Sequence, residues 1–337
     1  MIAVRNGTRA RARLSAVGGY VPDRVVTNAE LARTLDTSDE WIVSRTGIRE
    51  RRYAAPDQAT SDLAVEACRV ILAEAGLDAA EVDALIVPTC TPDHLFPSVA
   101  AITASAIGAD RAAAYDIQAA CSGFVYGLAQ ASALVEAGLA RNVLVVGAEL
   151  FSRLVDPTDR STCILFGDGA GGALVQAGDP ETTGGFLGFE LGADGSCGHQ
   201  LAVPVGGTRH PASQPFAPQD AYVQMNGREV FRFATRVMEE SALRLLDALE
   251  VGVDQIDLLV PHQANVRIIE HAVARIGIDP ARVFNNLDRY GNTSAASIPL
   301  VLAEARDAGA LNPGDLVLMV GFGAGLTWAS AVARYEP

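Results

Sequence analysis

Two stretches of the chain carry the same hydrophobic signature in the same order. "SDLAVEACRVILAEAGL", beginning at Ser61, and "VFRFATRVMEESALRLLDAL", beginning at Val230, place apolar residues at i, i+3, i+4 and i+7, the period of a helix with one face on a core. Each leads into a short, continuously apolar run, "EVDALIVPTCTP" (81–92) in the first case and "QIDLLVPHQAN" (255–265) in the second. Runs with no polar alternation predict strands covered on both faces by helices. The likeness continues downstream. From Cys121 to Gly138 and from Asn292 to Gly309 the interval is the same, and apolar strands follow, "NVLVVGAE" and "DLVLMVGFG".

Internal repetition at this scale predicts a duplicated α/β fold, layered α-β-α-β-α, with two pseudo-twofold-related halves. The expected division is residues 1–177 and 178–337. Gly and Pro crowd "GDPETTGGFLG" and "VPVGGTRHPASQPFAPQD", so about 178–224 reads as a loop-rich insertion. "FGDGAGGALV" (166–175) lacks the strand–helix setting of a dinucleotide loop and reads as a structural turn. The duplication also pairs chemistry: Cys121 matches Asn292 at the starts of equivalent helices, and Thr89 matches His262 at equivalent strand ends.

Composition narrows the function. With 337 residues, 49% hydrophobic and 20% charged, the chain can fill a large core. It has no apolar run near the roughly 18 residues of a membrane span and no secretory pattern at its start, so a cytoplasmic location without membrane association is expected. Cysteines 68, 90, 121, 163 and 197 form no C-x-x-C pair, which argues for reduced thiols. His94, His199, His210 and His271 show no metal-binding spacing, so no metal is expected. All 26 basic residues are arginine, which excludes Schiff-base lysines, pyridoxal phosphate anchors and P-loops. A net charge of −14 argues against nucleic acid as a partner.

Cys121, in "YDIQAACSGFVYGL" (115–128), ends an extended apolar run and opens a helical pattern. Oriented N–H groups there are expected to favour the thiolate. Burial as a packing residue is the commoner fate of a lone cysteine. His262 stands where a strand gives way to a helix, a frequent place for functional groups in α/β sheets. Asn292, in "YGNTSAAS", reads either as a cap or, through its match to Cys121, as a site residue. "MVGFGAGLTWASA" (319–331) brings small residues after a strand, where backbone N–H groups can approach a reacting carbonyl.

Taken together, "SDEWIVSRTGIRERR" (38–52), "AACSGFVYGL", "DPTDRSTCILFGDGAG" (156–171), "VPHQAN", "YGNTSAASIP" and "GFGAGLTWAS" resemble the thiolase superfamily, and within it the β-ketoacyl-acyl carrier protein synthase III family, over nearly the whole chain. The resemblance implies an acyltransferase of fatty acid synthesis that condenses an acyl-coenzyme A with malonyl-acyl carrier protein through an acyl-cysteine. It implies Cys121, His262 and Asn292 as the catalytic set, and the N–H groups of Cys121 and Ala324 as an oxyanion hole. By the same resemblance, Trp41, Arg45, Arg160, Phe231 and Ala264 contact coenzyme A, and Phe96, Phe151, Leu165 and Phe166 bound the acyl pocket. Arg232, Arg267 and Arg275 would receive the carrier protein, Phe96 would reach the partner's pocket in a homodimer, and no cofactor beyond the acyl-coenzyme A substrate is implied. Three positions depart from the family pattern: Ser161 and Ala324 replace glycines, and Arg228 replaces an asparagine. Two other readings stay open, a starter-unit or acyl-transfer enzyme of secondary metabolism and a non-catalytic partner subunit.

Overall fold

The structure is a computed structural model and describes residues 11–179 and 184–337. The first part of the chain forms β1 (Arg11–Tyr20), β2 (Arg24–Thr27), α1 (Asn28–Leu31), α2 (Asp39–Thr46), β3 (Glu50–Tyr53), α3 (Thr60–Ala75), β4 (Ala84–Pro88), α4 (Val99–Ile107), β5 (Ala113–Ile117), α5 (Gly123–Glu136), β6 (Asn142–Leu150) and β7 (Asp168–Gly178). It continues with β8 (Gly185–Ala193), β9 (Leu201–Ala202), β10 (Gln224–Met225), α6 (Gly227–Leu249), β11 (Leu258–Pro261), α7 (Val266–Ile276), α8 (Leu287–Tyr290), α9 (Ser297–Asp307), β12 (Leu316–Gly323) and β13 (Thr327–Arg334).

One sheet has the order β1-β7-β6-β4-β5 and the other β11-β12-β13-β8. Read from β1 and from β8, both begin with two antiparallel joints and continue with a parallel one. The counterpart of β5 is reduced to a single parallel bridge between Leu259 and Val283. Helices α5 and α9 lie between the sheets. Phe124, Leu128, Ile298 and Val301 pack there with Val145, Val175, Val317 and Met319 from both sheets, all fully or nearly fully buried. Helices α3 and α4 cover the outer face of the first sheet, and α6 and α7 that of the second. Burying each such Leu, Ile or Phe contributes about 1.5–3 kcal/mol. The layering is the one that the apolar strands predicted.

Two local expectations are corrected. The glycine cluster at 166–175 is not a turn: from Asp168 it is the buried strand β7. Its glycines answer close packing, since a Cβ on Gly171 would lie 2.9 Å from the Leu300 amide nitrogen of α9. Within 178–224, residues Gly185–Ala193 are the strand β8 on the edge of the second sheet rather than loop. Gly192 makes room there for the Trp328 indole, which a Cβ would approach to 2.2 Å.

Candidate active site

Cys121 sits in a one-turn 3-10 helix, Ala120–Ser122, between β5 and α5. Ala120 has φ +47°, a conformation that L-residues rarely adopt and that neighbours must hold in place. Here the Ser122 and Thr327 hydroxyls lie 2.7 and 2.9 Å from the Ala119 carbonyl and 2.8 Å from each other. The turn is seated on β12, where a Cβ on Gly321 would meet the Cys121 carbonyl oxygen at 3.5 Å.

A turn of the same kind, Ser294–Ala296, precedes α9, with Ser294 at φ +50°. It is seated on β6, where a Cβ on Gly147 would lie 2.3 Å from the Ala295 carbonyl oxygen. The backbone therefore pairs Cys121 with Ala295, which corrects the expected match to Asn292. Helix α9 is shorter than α5, 11 residues against 14, so intervals counted back from Gly138 and Gly309 slip by that difference.

Asn292 reaches the site from the extended segment before its turn. Its N–H donates to the Leu165 carbonyl at 2.8 Å, and its own carbonyl accepts from the Gly167 N–H at 3.0 Å. Asn292 Oδ1 accepts from the Ser294 N–H at 2.8 Å, which leaves the Nδ2 hydrogens for a ligand. His262 follows β11, and its N–H donates to the Val320 carbonyl at 2.8 Å. Its Nδ1 lies 2.6 Å from the Ser297 hydroxyl, which also accepts from the Gln263 N–H at 3.4 Å. The hydroxyl proton has its acceptor in Nδ1, so the ring proton belongs on Nε2, a buried atom with no partner among the described residues. Burial pushes His262 down to about 3, so the ring is neutral.

Cys121, His262 and Asn292 line one cavity of about 160 Å³, together with Leu165, Phe231 and Ala264. Cys121 also lines a second, mostly apolar cavity of about 400 Å³ with Cys90, Phe151, Phe166 and Ala324. Phe151 and Phe166 stack at 4.7 Å between ring centroids in its wall. The thiol thus stands where the chamber that holds His262 and Asn292 meets the one walled by Phe151 and Phe166. Leu165, expected in the acyl pocket, faces the His262 and Asn292 chamber instead. Phe96 lies outside both, with Leu95 on an exposed loop, at 85% and 84% exposure.

The expected thiolate is also corrected. Burial pushes the Cys121 thiol up to about 12; the Ser294 side chain opposes this by a hydrogen bond, and the charge of Glu149 adds to it. Desolvation outweighs the oriented amides of the turn. Glu149 itself was not singled out from the sequence, although a carboxylate in the apolar run "NVLVVGAE" was the available signal. It is fully buried, and its carboxylate accepts from Cys90 N–H at 3.0 Å, Thr91 Oγ1 at 2.7 Å, Thr89 Oγ1 at 3.3 Å and Ser294 Oγ at 2.9 Å. Desolvation nonetheless raises it to about 7.

Outside the chambers, two guanidinium groups lie near the Trp41 ring, Arg45 at 5.3 Å and Arg160 at 5.0 Å from its centroid. Helix α2 presents Trp41 and Arg45, started by Ser38, whose hydroxyl accepts from the Trp41 N–H at 3.1 Å, and ended by Gly47 at φ +82°. Ser161 binds Asp159 through its N–H at 2.9 Å and its hydroxyl at 2.7 Å. Arg228 lies exposed in the first turn of α6 and lines neither chamber. Among the described non-glycine residues, positive φ occurs at Ala120, Glu250 and Ser294, so Ala324 carries its Cβ without that strain. Of the arginines expected to dock a carrier, Arg232 pairs with Glu229 at 2.5 Å and Arg275 with Glu239 at 3.0 Å, while Arg267 donates to the Ser44 carbonyl at 2.7 Å.

Family models for the 3-oxoacyl-[acyl-carrier-protein] synthase III and for its C-terminal part match residues 115–195 and 246–335. A β-ketoacyl-[acyl-carrier-protein] synthase III of Desulfitobacterium hafniense is 51% identical over 321 residues, 95% of this chain and 96% of the relative. The chain belongs to the 3-oxoacyl-[acyl-carrier-protein] synthase III family. The crystal structure of a Thermus thermophilus member superposes with a TM-score of 0.89 at 50% identity, covering 96% of this chain and 99% of that one. The priming β-ketosynthase of the R1128 polyketide pathway superposes at 0.91 with 37% identity, covering 99% of each. The fold is thus the thiolase-like duplicated α/β fold of this family. No helix among the described residues is long and apolar enough to cross a membrane.

Proposed function

We propose that the chain condenses an acyl-coenzyme A starter with malonyl-acyl carrier protein, giving 3-oxoacyl-acyl carrier protein, coenzyme A and carbon dioxide, the initiating step of fatty acid synthesis. The observation that supports it most is the meeting of Cys121, the unpartnered Nε2 of His262 and the Asn292 amide in one chamber that opens at the thiol onto an apolar one.

In the first half-reaction the Cys121 sulfur attacks the thioester carbonyl, and the N–H groups of Cys121 and Ala324 hold the oxyanion. Coenzyme A leaves, and the acyl chain rests against Phe151 and Phe166. Coenzyme A enters with its adenine and phosphates at the Arg45–Trp41–Arg160 cluster and its pantetheine past Phe231 and Ala264. In the second half-reaction His262 Nε2–H and Asn292 Nδ2–H donate to the malonyl thioester oxygen. The bond to the carboxylate breaks, carbon dioxide leaves, and the enolate carbon attacks the acyl-cysteine, releasing Cys121. A neutral His262 suits this role, because the oxygen gains charge and needs donors. The chemistry balances without a metal or redox cofactor.

Arg232, Arg267 and Arg275 on α6 and α7 offer an acidic carrier charge to exchange for their present partners. Leu95 and Phe96, exposed in the single chain, fit a homodimer in which Phe96 closes the partner's apolar chamber. We place the enzyme in the cytoplasm. Fatty acid initiation is preferred to polyketide priming, since the priming ketosynthase is the more distant of the two solved relatives, at 37% against 50%. The test incubates the protein with a panel of acyl-coenzyme A thioesters, reads acylation of Cys121 by mass, then adds malonyl-acyl carrier protein. Acylation followed by carbon dioxide release is expected. Acylation with no release would overturn the reading in favour of plain acyl transfer.

A further inference from the structure

Acylation requires the Cys121 thiol to shed its proton, and no group in the mechanism above is suited to take it. His262 already carries a proton on Nε2, and its Nδ1 is engaged by the Ser297 hydroxyl. The site also holds a buried carboxylate that the mechanism does not use. Glu149 is fully buried near the end of β6, between the Thr89–Thr91 segment after β4 and the turn before α9. Ser294 stands between the two: its hydroxyl lies 2.9 Å from Glu149 Oε1, and the turn Ser294–Ala296 that carries it packs against the turn Ala120–Ser122 that carries Cys121.

An ionised carboxylate sets the direction of the first bond. An ionised Glu149 has no proton of its own, so Ser294 donates its hydroxyl hydrogen to Oε1. The Ser294 oxygen then offers lone pairs, and the only hydrogen that Cys121 can bring to it is that of the thiol. We propose that Ser294 and Glu149 form a relay that removes the thiol proton during acylation, with Glu149 as its final acceptor.

The step balances. As sulfur bonds to the thioester carbon, the Sγ–H bond breaks and its proton joins Ser294 Oγ, while the former Ser294 proton joins Glu149 Oε1. Ser294, again with one hydrogen, now points it at the sulfur. When the tetrahedral adduct collapses, the protons return along the same path to the departing coenzyme A thiolate, and Glu149 is ionised again. No oxidant, reductant or outside acid is consumed. An acceptor for a sulfur proton near neutral pH needs an affinity well above that of an ordinary carboxylate, and burial supplies it, since Glu149 is raised to about 7. The ionisable groups facing it are the two thiols, Cys90 and Cys121. The elements around it otherwise present hydroxyls and amides, so its titration is not masked by a neighbouring carboxylate or arginine among the described residues.

The proposal rests on the reading that Cys121 accepts the acyl group, and the experiment separates the two. Acylation by acetyl-coenzyme A is followed by rapid quench and mass spectrometry from pH 5 to 9, in parallel with alkylation by iodoacetamide, which reads the thiol proton without an acyl substrate. For the native enzyme both rates are expected to rise through a limb near pH 7. In Ser294→Ala and Glu149→Gln acylation is expected to fall at least tenfold and the limb to disappear. A purely structural role would slow the reaction without removing the limb. Should Glu149→Gln not fold, Ser294→Ala and the native profile decide. A native profile with no limb, or Ser294→Ala reacting as the native enzyme does, overturns the relay. No acylation at any pH, with the limb intact in alkylation, overturns the acyl-transfer reading while upholding the relay.

Discussion

The turns Ala120–Ser122 and Ser294–Ala296 are built alike and used differently. Each opens on a left-handed residue, precedes a central helix, and rests on the middle strand of the other half's sheet, at Gly321 and Gly147 respectively. The first presents a thiol at its second position, and the second presents Ala295 there. The second turn contributes through its flanks instead: Asn292 before it, Ser294 at its head, and Ser297 after it, behind His262. Duplication supplied two equivalent seats, and the arrangement became asymmetric by placing the thiol in one and the polar side chains around the other.

The largest effect that tests this asymmetry is at the thiol. Cys121→Ser is expected to lower acylation by roughly a thousandfold or more. Full acylation of that variant in an intact mass spectrum would show that the first turn is not the reactive one. His262→Ala and Asn292→Ala should divide the two half-reactions. Carbon dioxide release from malonyl-acyl carrier protein is expected to drop about a hundredfold or more, the scale of a lost oxyanion donor, while Cys121 acylation changes by a few-fold. Equal losses in both half-reactions would assign these residues to the first turn's chemistry instead.

The two seats are tight at different positions. A Cβ on Gly147 would lie 2.3 Å from the Ala295 carbonyl oxygen, whereas one on Gly321 meets nothing closer than 3.4 Å and the close approach to the first turn falls at Gly323, where a Cβ would lie 2.5 Å from the Cys121 amide nitrogen. Gly147→Ala is expected to cost at least about 1–3 kcal/mol of unfolding free energy in urea, and Gly321→Ala less than about 1 kcal/mol. The reverse order would mean that the Gly147 contact relaxes more readily than the Gly321 one.

In the native protein the pH dependence of stability is small because two groups oppose each other. His262, normally near 6.5, is held near 3 in the fold, so the unfolded chain binds the extra proton and stability is lost as pH falls from 6.5 toward 3. Glu149, normally near 4.5, is raised to about 7, so its contribution is full below 4.5 and lost as pH rises toward 7. Where those windows overlap, from about 4.5 to 6.5, the two oppose each other. His262→Gln should expose the Glu149 slope, a fall in stability of about 1.4 kcal/mol per pH unit as pH rises. A stability curve in which that variant shows no new slope would deny the raised carboxylate.

The apolar strands and amphipathic helices were legible because burial on both faces leaves no polar alternation, and the repeat of that pattern gave the layered architecture. Glycine misled the reading twice. In β7 and β8 it serves close packing against Leu300 and Trp328, yet in sequence it looks the same as glycine in a turn. The match of Cys121 to Asn292 failed because intervals counted along the chain cannot show that α9 is shorter than α5. Cys121, His262 and Asn292 stood out through the family's motifs. The state of the thiol did not, because it depends on how much water the finished fold removes.

The crossed seating of the turns has a consequence for how the site is assembled. The strained backbone at Ala120 is held by β12 and by Thr327, 208 residues beyond Ala119. The turn at Ser294 rests in return on β6 of the first sheet. Neither half can hold its turn alone, and a fragment ending after α5 is expected to show no acylation at Cys121.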